Sequence, residues 1–123
     1  MNLERAHISC GLFYAVAGMA LGTWMAATHN HAQCVTHAHI LLPGFVVSVL
    51  YGLILRTLKD PPRKAGTAQF WVHQVGTLAM TSGLFAFTAG LGSPGILFPL
   101  LGISAVLVLA GAVMMLVIYI RTG

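Results

Sequence analysis

Long apolar runs separated by short polar ones set the pattern of this chain. Four windows, residues 8–28, 35–55, 68–91 and 95–120, contain no Lys, Arg, Asp or Glu. Each reaches the ~20 residues that a helix needs to cross hydrocarbon. The pattern therefore predicts an all-α transmembrane four-helix bundle, with residues 1–123 forming a single domain. The first window starts close to Met1, as a cleaved signal would. Gly18, Met19, Gly22 and Trp24 carry the run beyond the ~7–15 residues of a signal core, so it is read as a helix.

Small residues recur at steps of three and four: Gly11, Ala15, Gly18 and Gly22 in the first window, Gly44, Ser48 and Gly52 in the second, Gly76, Gly83 and Gly90 in the third. Such residues let backbones approach closely where water cannot drive association, so these faces are expected at helix contacts. Pro43 lies four residues after His39. It has no N–H for the His39 carbonyl and its ring presses on that group, so the second helix should loosen one turn inward of His39, with Gly44 permitting it.

Composition agrees with a membrane protein: 58% of residues are hydrophobic and 7% charged, with a mean hydropathy of +0.89. Arg5 precedes the first helix, Arg56, Lys59, Arg63 and Lys64 fill the second connection, and Arg121 follows the last helix. All six basic residues thus fall on one side of a four-span path. Because Lys and Arg resist translocation, both termini are expected in the cytoplasm of a bacterial inner (cytoplasmic) membrane. The net charge of +4 is then an orientation signal and a contact for anionic membrane lipid, with no case for nucleic acid. Cys10 and Cys34 fall about 36 Å apart if the residues between them are helical, too far for a disulfide.

Candidate chemistry is concentrated in the histidines, six of them against two carboxylates. A histidine inside a span needs a partner, and a pair of them points to a metal or haem. His37 and His39 open the second helix. Residues two apart on a helix point about 200° from one another, so this pair suits two separate sites on opposite sides of the helix better than one chelated ion. His73 is open between a hydrogen-bonded role and a cofactor ligand. His7 reads as an interfacial side chain. His29 and His31, with Met25 and Cys34, are the alternative copper or zinc set at the outer face. Glu4 and Asp60 both fall at the cytoplasmic surface, which leaves no acid–base pair in the membrane and no catalytic residue to name. Chemistry would then have to come from a cofactor.

The run Thr36-His37-Ala38-His39-Ile40-Leu41-Leu42-Pro43-Gly44-Phe45 resembles the His-bearing helices of the catalytic subunit of the haem-copper oxidase and nitric oxide reductase superfamily. It also resembles small four-helix bacterial membrane proteins related to that subunit, to which Trp71-Val72-His73-Gln74-Val75-Gly76-Thr77 is similar as well. The family's subunit consists of three four-helix arcs about a pseudo-threefold axis, with haem-ligating histidines on the second helix of an arc. The resemblance implies that this chain is one such arc, assembling as a homotrimer with haem b held between His39 of one protomer and His37 of the next. Electron transfer from a respiratory donor, or binding of a diatomic gas, would be its use. The family's copper-ligating helix and intramembrane acid have no counterpart here, so the expectation stops short of oxygen reduction. Two other readings stand beside it: a copper- or zinc-binding membrane protein using the outer-face set, and a structural or assembly subunit of a respiratory complex whose histidines only make hydrogen bonds.

Overall fold

The computed structural model describes residues 1–123 as four long helices. They are α1 (Leu3–Thr28), α2 (Cys34–Thr57), α3 (Arg63–Thr88) and α4 (Pro94–Thr122). Asn2 caps α1 by accepting from the Arg5 N–H at 3.0 Å, and Pro94 opens α4 where its missing N–H costs nothing. His29, at φ 53°, ends α1 in the left-handed region, and Gly90 and Gly92, at φ 71° and 76°, make the turn into α4.

Three of the four, α1, α2 and α4, are long and apolar enough to cross a membrane. This is a membrane protein by the length and composition of those helices. The predicted third span is as long as α1, at 26 residues, but less apolar. The reason lies in its inner face, where Gln69, His73, Gln74, Thr77 and Thr81 are all buried among the other helices. Its polarity is spent inside the bundle. Trp71, Leu78 and Phe85 are exposed on its outside.

The helices pack as two hairpins, α1 with α2 and α3 with α4. Close backbone approach holds both. A Cβ added at Gly11 would sit 2.6 Å from Val49 Cγ2, one at Gly52 would sit 2.8 Å from the Glu4 carbonyl oxygen, and one at Gly76 would sit 2.7 Å from Leu107 Cβ. Gly90 departs from the expectation: a Cβ there would meet nothing within 4 Å, and the residue serves the turn instead. The end of the bundle that carries the basic residues is closed by Tyr51, Leu55 and Met115, with Leu3 and Leu58 against them. There Glu4 and Arg56 form an exposed ion pair at 3.7 Å. Cys10 and Cys34 are both free.

Between Ile40 and Val47, α2 widens into a π-helix around Pro43. The loosening expected from Pro43 is thus present, spread over two turns. Gly44 sits where a Cβ would lie 2.8 Å from the Tyr14 ring, so α1 packs directly on the widened stretch.

Candidate functional site

His37 and His39 lie on the last regular turn of α2 before the π-helical stretch, half-buried and facing different neighbours. The His37 ring is laid against α1. Its Nδ1 is 2.9 Å from the Gly18 carbonyl oxygen, and Gly22 makes room for it, since a Cβ there would be 2.7 Å from His37 Cε1. His39 Nδ1 is 2.8 Å from the carbonyl oxygen of Val35, one turn back on its own helix.

A carbonyl oxygen can only accept, so both Nδ1 atoms carry the ring hydrogen. Each Nε2 is left with its lone pair and no protein partner. A backbone carbonyl on one ring nitrogen is the usual device for fixing tautomer and orientation when the other nitrogen ligates a metal. His39 borders a lateral groove of about 490 Å³, lined by Leu42, Pro43 and Val47 of α2, Met80 of α3, and Ala105, Val108 and Ala112 of α4. That size lies within the ~300–1,000 Å³ of ligand sites, and the lining is almost wholly apolar.

His73 is placed elsewhere. It is fully buried in the centre of the bundle, with Nε2 3.0 Å from Ser48 Oγ. Beside it is His7, whose ring centroid is 6.2 Å away. The expectation of an interfacial His7 is overturned: the residue is 0% exposed. Its Nε2 meets Gln69 Oε1 at 3.0 Å, and Gln69 Nε2 in turn donates to the Gly111 carbonyl at 3.1 Å. Position near a helix start suggested the interface; what buries His7 is the crossing of α3 over α1 at that level. The cluster His7, Gln69, His73, Ser48 and Gln74 joins α1, α2 and α3, and α4 through the Gly111 carbonyl; sequence reasoning did not assemble it. Its one legible signal is the four-residue step from Gln69 to His73 to Thr77, which lines polar side chains along one helix face.

The outer-face set does not converge within the protein. Met25 is buried at 6% exposure, while His29, His31 and Cys34 are exposed. No group of three or more His, Cys, Asp or Glu residues lies together to hold an ion. Nearby, Gln33 anchors the end of the bundle opposite the basic residues: Thr36 Oγ1 donates to its Oε1 at 2.7 Å, and its Nε2 reaches the Phe85 carbonyl at 3.3 Å.

No family model, curated protein or solved structure matches this chain. Its class is set by the helices themselves: a small, all-helical membrane protein with a buried polar centre.

Burial changes what a His7 variant should do. His7→Ala leaves Gln69 Oε1 without a donor inside the bundle, a cost of about 1–3 kcal/mol. The expected result is a lower thermal midpoint in detergent, with the spectrum of any bound pigment unchanged in position. A midpoint equal to that of the parent protein would contradict the burial.

Proposed function

We propose that this chain is a haem b-binding protein of the bacterial inner membrane, related to subunit I of the haem-copper oxidases. His37 and His39 are its ligands. One observation carries the reading: both imidazoles are anchored at Nδ1 on a backbone carbonyl and present a free Nε2. That donor set suits an axial ligand of haem iron. The rings face different elements, so the two ligands of one haem come from two copies of the chain, His39 of one and His37 of the next. A trimer satisfies every ring in this way, and the apolar groove beside His39 is a bed for one porphyrin face. The bound iron would supply one-electron chemistry; the protein would hold the rings and keep water from them. Electron transfer or diatomic-gas binding is the use proposed.

A reduced-minus-oxidised visible spectrum, together with the mass of the detergent-solubilised assembly, tests this. Expression with ample haem should give a Soret band, a trimeric mass and one iron per protomer, the bis-histidine count. Copper or zinc without a Soret band would instead favour the outer-face metal set. A colourless, metal-free preparation that co-purifies with larger partners would identify an assembly subunit.

A further inference from the structure

At the end of the bundle that carries the basic residues, a cavity of about 310 Å³ opens between α1 and α2, lined by Asn2, Glu4, Arg5 and Ile8 at the start of α1 and by Arg56 of α2. Two guanidiniums thus share it with one carboxylate. The only ion pair of the protein, Arg56 Nε to Glu4 Oε2, spans 3.7 Å, longer than a hydrogen bond. Neither guanidinium donates a hydrogen bond to any acceptor in the protein, and the Arg5 side chain has no ionic partner. Asn2 Oδ1 is taken by the Arg5 backbone N–H at 3.0 Å, which leaves the Asn2 amide NH₂ as a further unused donor.

The depth of the cavity follows from the charge pattern. The uncharged window of α1 begins at Ile8 and that of α2 ends at Leu55, so Arg5 and Arg56 stand just beyond the hydrocarbon limit of both helices, at headgroup level. Ile8 supplies the apolar wall. It is wedged against α2, where a Cβ on Gly52 would lie 2.6 Å from Ile8 Cγ1. Leu12, one turn further along α1, is exposed on the outside of the bundle. The cavity is therefore cationic at one end and apolar at the other. On the far side of Glu4, a neighbouring cavity of about 480 Å³ sets Glu4 and Asp60 against Arg63 alone, so it offers an anion nothing.

We propose that the Arg5–Arg56 cavity binds one anionic glycerophospholipid, with its phosphate held between the two guanidiniums and an acyl chain laid along Ile8 and Leu12. A guanidinium presents paired N–H donors that match phosphate oxygens, a fit that an ammonium lacks. Free phosphate would use the guanidiniums and leave the apolar wall bare. A zwitterionic lipid would bring its own ammonium toward two fixed positive charges. The pull of all six basic residues on anionic lipid is diffuse and screened by salt; the cavity turns it into a site. This end of α2 is remote from His37 and His39, so the lipid site stands or falls independently of the haem reading.

Native mass spectrometry and thermal unfolding of the whole chain in detergent test this, with phosphatidylglycerol, phosphatidylcholine and inorganic phosphate as the probes. Phosphatidylglycerol should raise the midpoint saturably and stay bound at one per chain, and neither of the other two should do so. Arg5→Gln with Arg56→Gln should weaken phosphatidylglycerol binding at least about tenfold, the worth of a charge-assisted contact. Lys59→Gln with Lys64→Gln removes the same charge from residues that do not line the cavity, and should leave binding within about twofold of the parent. Arg5→Gln alone breaks no side-chain bond in the protein; compared with Lys59→Gln, it covers the case in which the double arginine variant does not fold. Equal losses in the two double variants would reduce the effect to net charge. Equal stabilisation by phosphatidylcholine would remove the anionic selectivity, and stabilisation by inorganic phosphate would remove the lipid. Each of these three results overturns the proposal.

Discussion

Replacing His39 with alanine is expected to abolish the Soret band of the purified protein, while His31→Ala leaves it at full intensity. The His39 ring bonds only the Val35 carbonyl of its own helix and is half-buried, so its removal breaks no hydrogen bond between helices. The bundle should keep its helical circular dichroism and thermal midpoint. What is lost is the free Nε2, and with it one of the two axial ligands proposed for the haem. His31 is exposed in the connection between α1 and α2 and makes no side-chain bond to another helix. It therefore separates the two metal readings: an outer-face copper or zinc site would lose metal with His31→Ala, and a haem at His37 and His39 would not. Full Soret intensity in His39→Ala would end the haem proposal.

The second large effect is expected at Gly76. Even the methyl group of Gly76→Ala would place Cβ 2.7 Å from Leu107 Cβ and 3.1 Å from the Val108 nitrogen. Those atoms belong to the α4 backbone or stand directly on it, so no rotamer change relieves the clash and the helices must part. Overpacking of this kind costs roughly 1–3 kcal/mol, and Gly76→Leu should exceed Gly76→Ala. Gly102, on α4, has nothing within 4 Å of its Cβ position, so Gly102→Ala is the matched control. Thermal unfolding followed by size-exclusion fluorescence in detergent should show a clear drop for the Gly76 variants and none for Gly102→Ala. Equal midpoints for Gly76→Ala and Gly102→Ala would refute the packing described for α3 on α4.

Much of this was legible in the residues. The uncharged windows located all four helices to within a few residues. The main shifts were at the start of α1, which begins at Leu3, and at α3, which runs Arg63–Thr88 against an expected 68–91. The displacement has a cause: the window for α3 counted only uncharged residues, whereas a helix keeps its hydrogen bonds when its first turn carries Arg63 and Lys64 into the polar region. The loosening at Pro43 and the opposed directions of His37 and His39 also followed from local rules, since both depend on residues within two turns on one helix.

What could not be read was which polar residues would meet. His7 and Gln69 are 62 positions apart, and Ser48 and His73 are on different hairpins. Nothing in the period of a single helix says that these faces coincide.

The chain's own order of apolar and polar residues determined that there are four helices, that the six basic residues gather at one end, and that α2 is weakened at Pro43. These are consequences of hydrocarbon length, backbone geometry and the missing proline N–H, all acting over short stretches of chain. Only the packing of α1 and α2 against α3 and α4 decided that His7 is interior, that His73 belongs with it, and that the polar side of α3 is hidden. Contacts between distant segments depend on the relative rotation and depth of the helices, which the sum of many small steric fits selects.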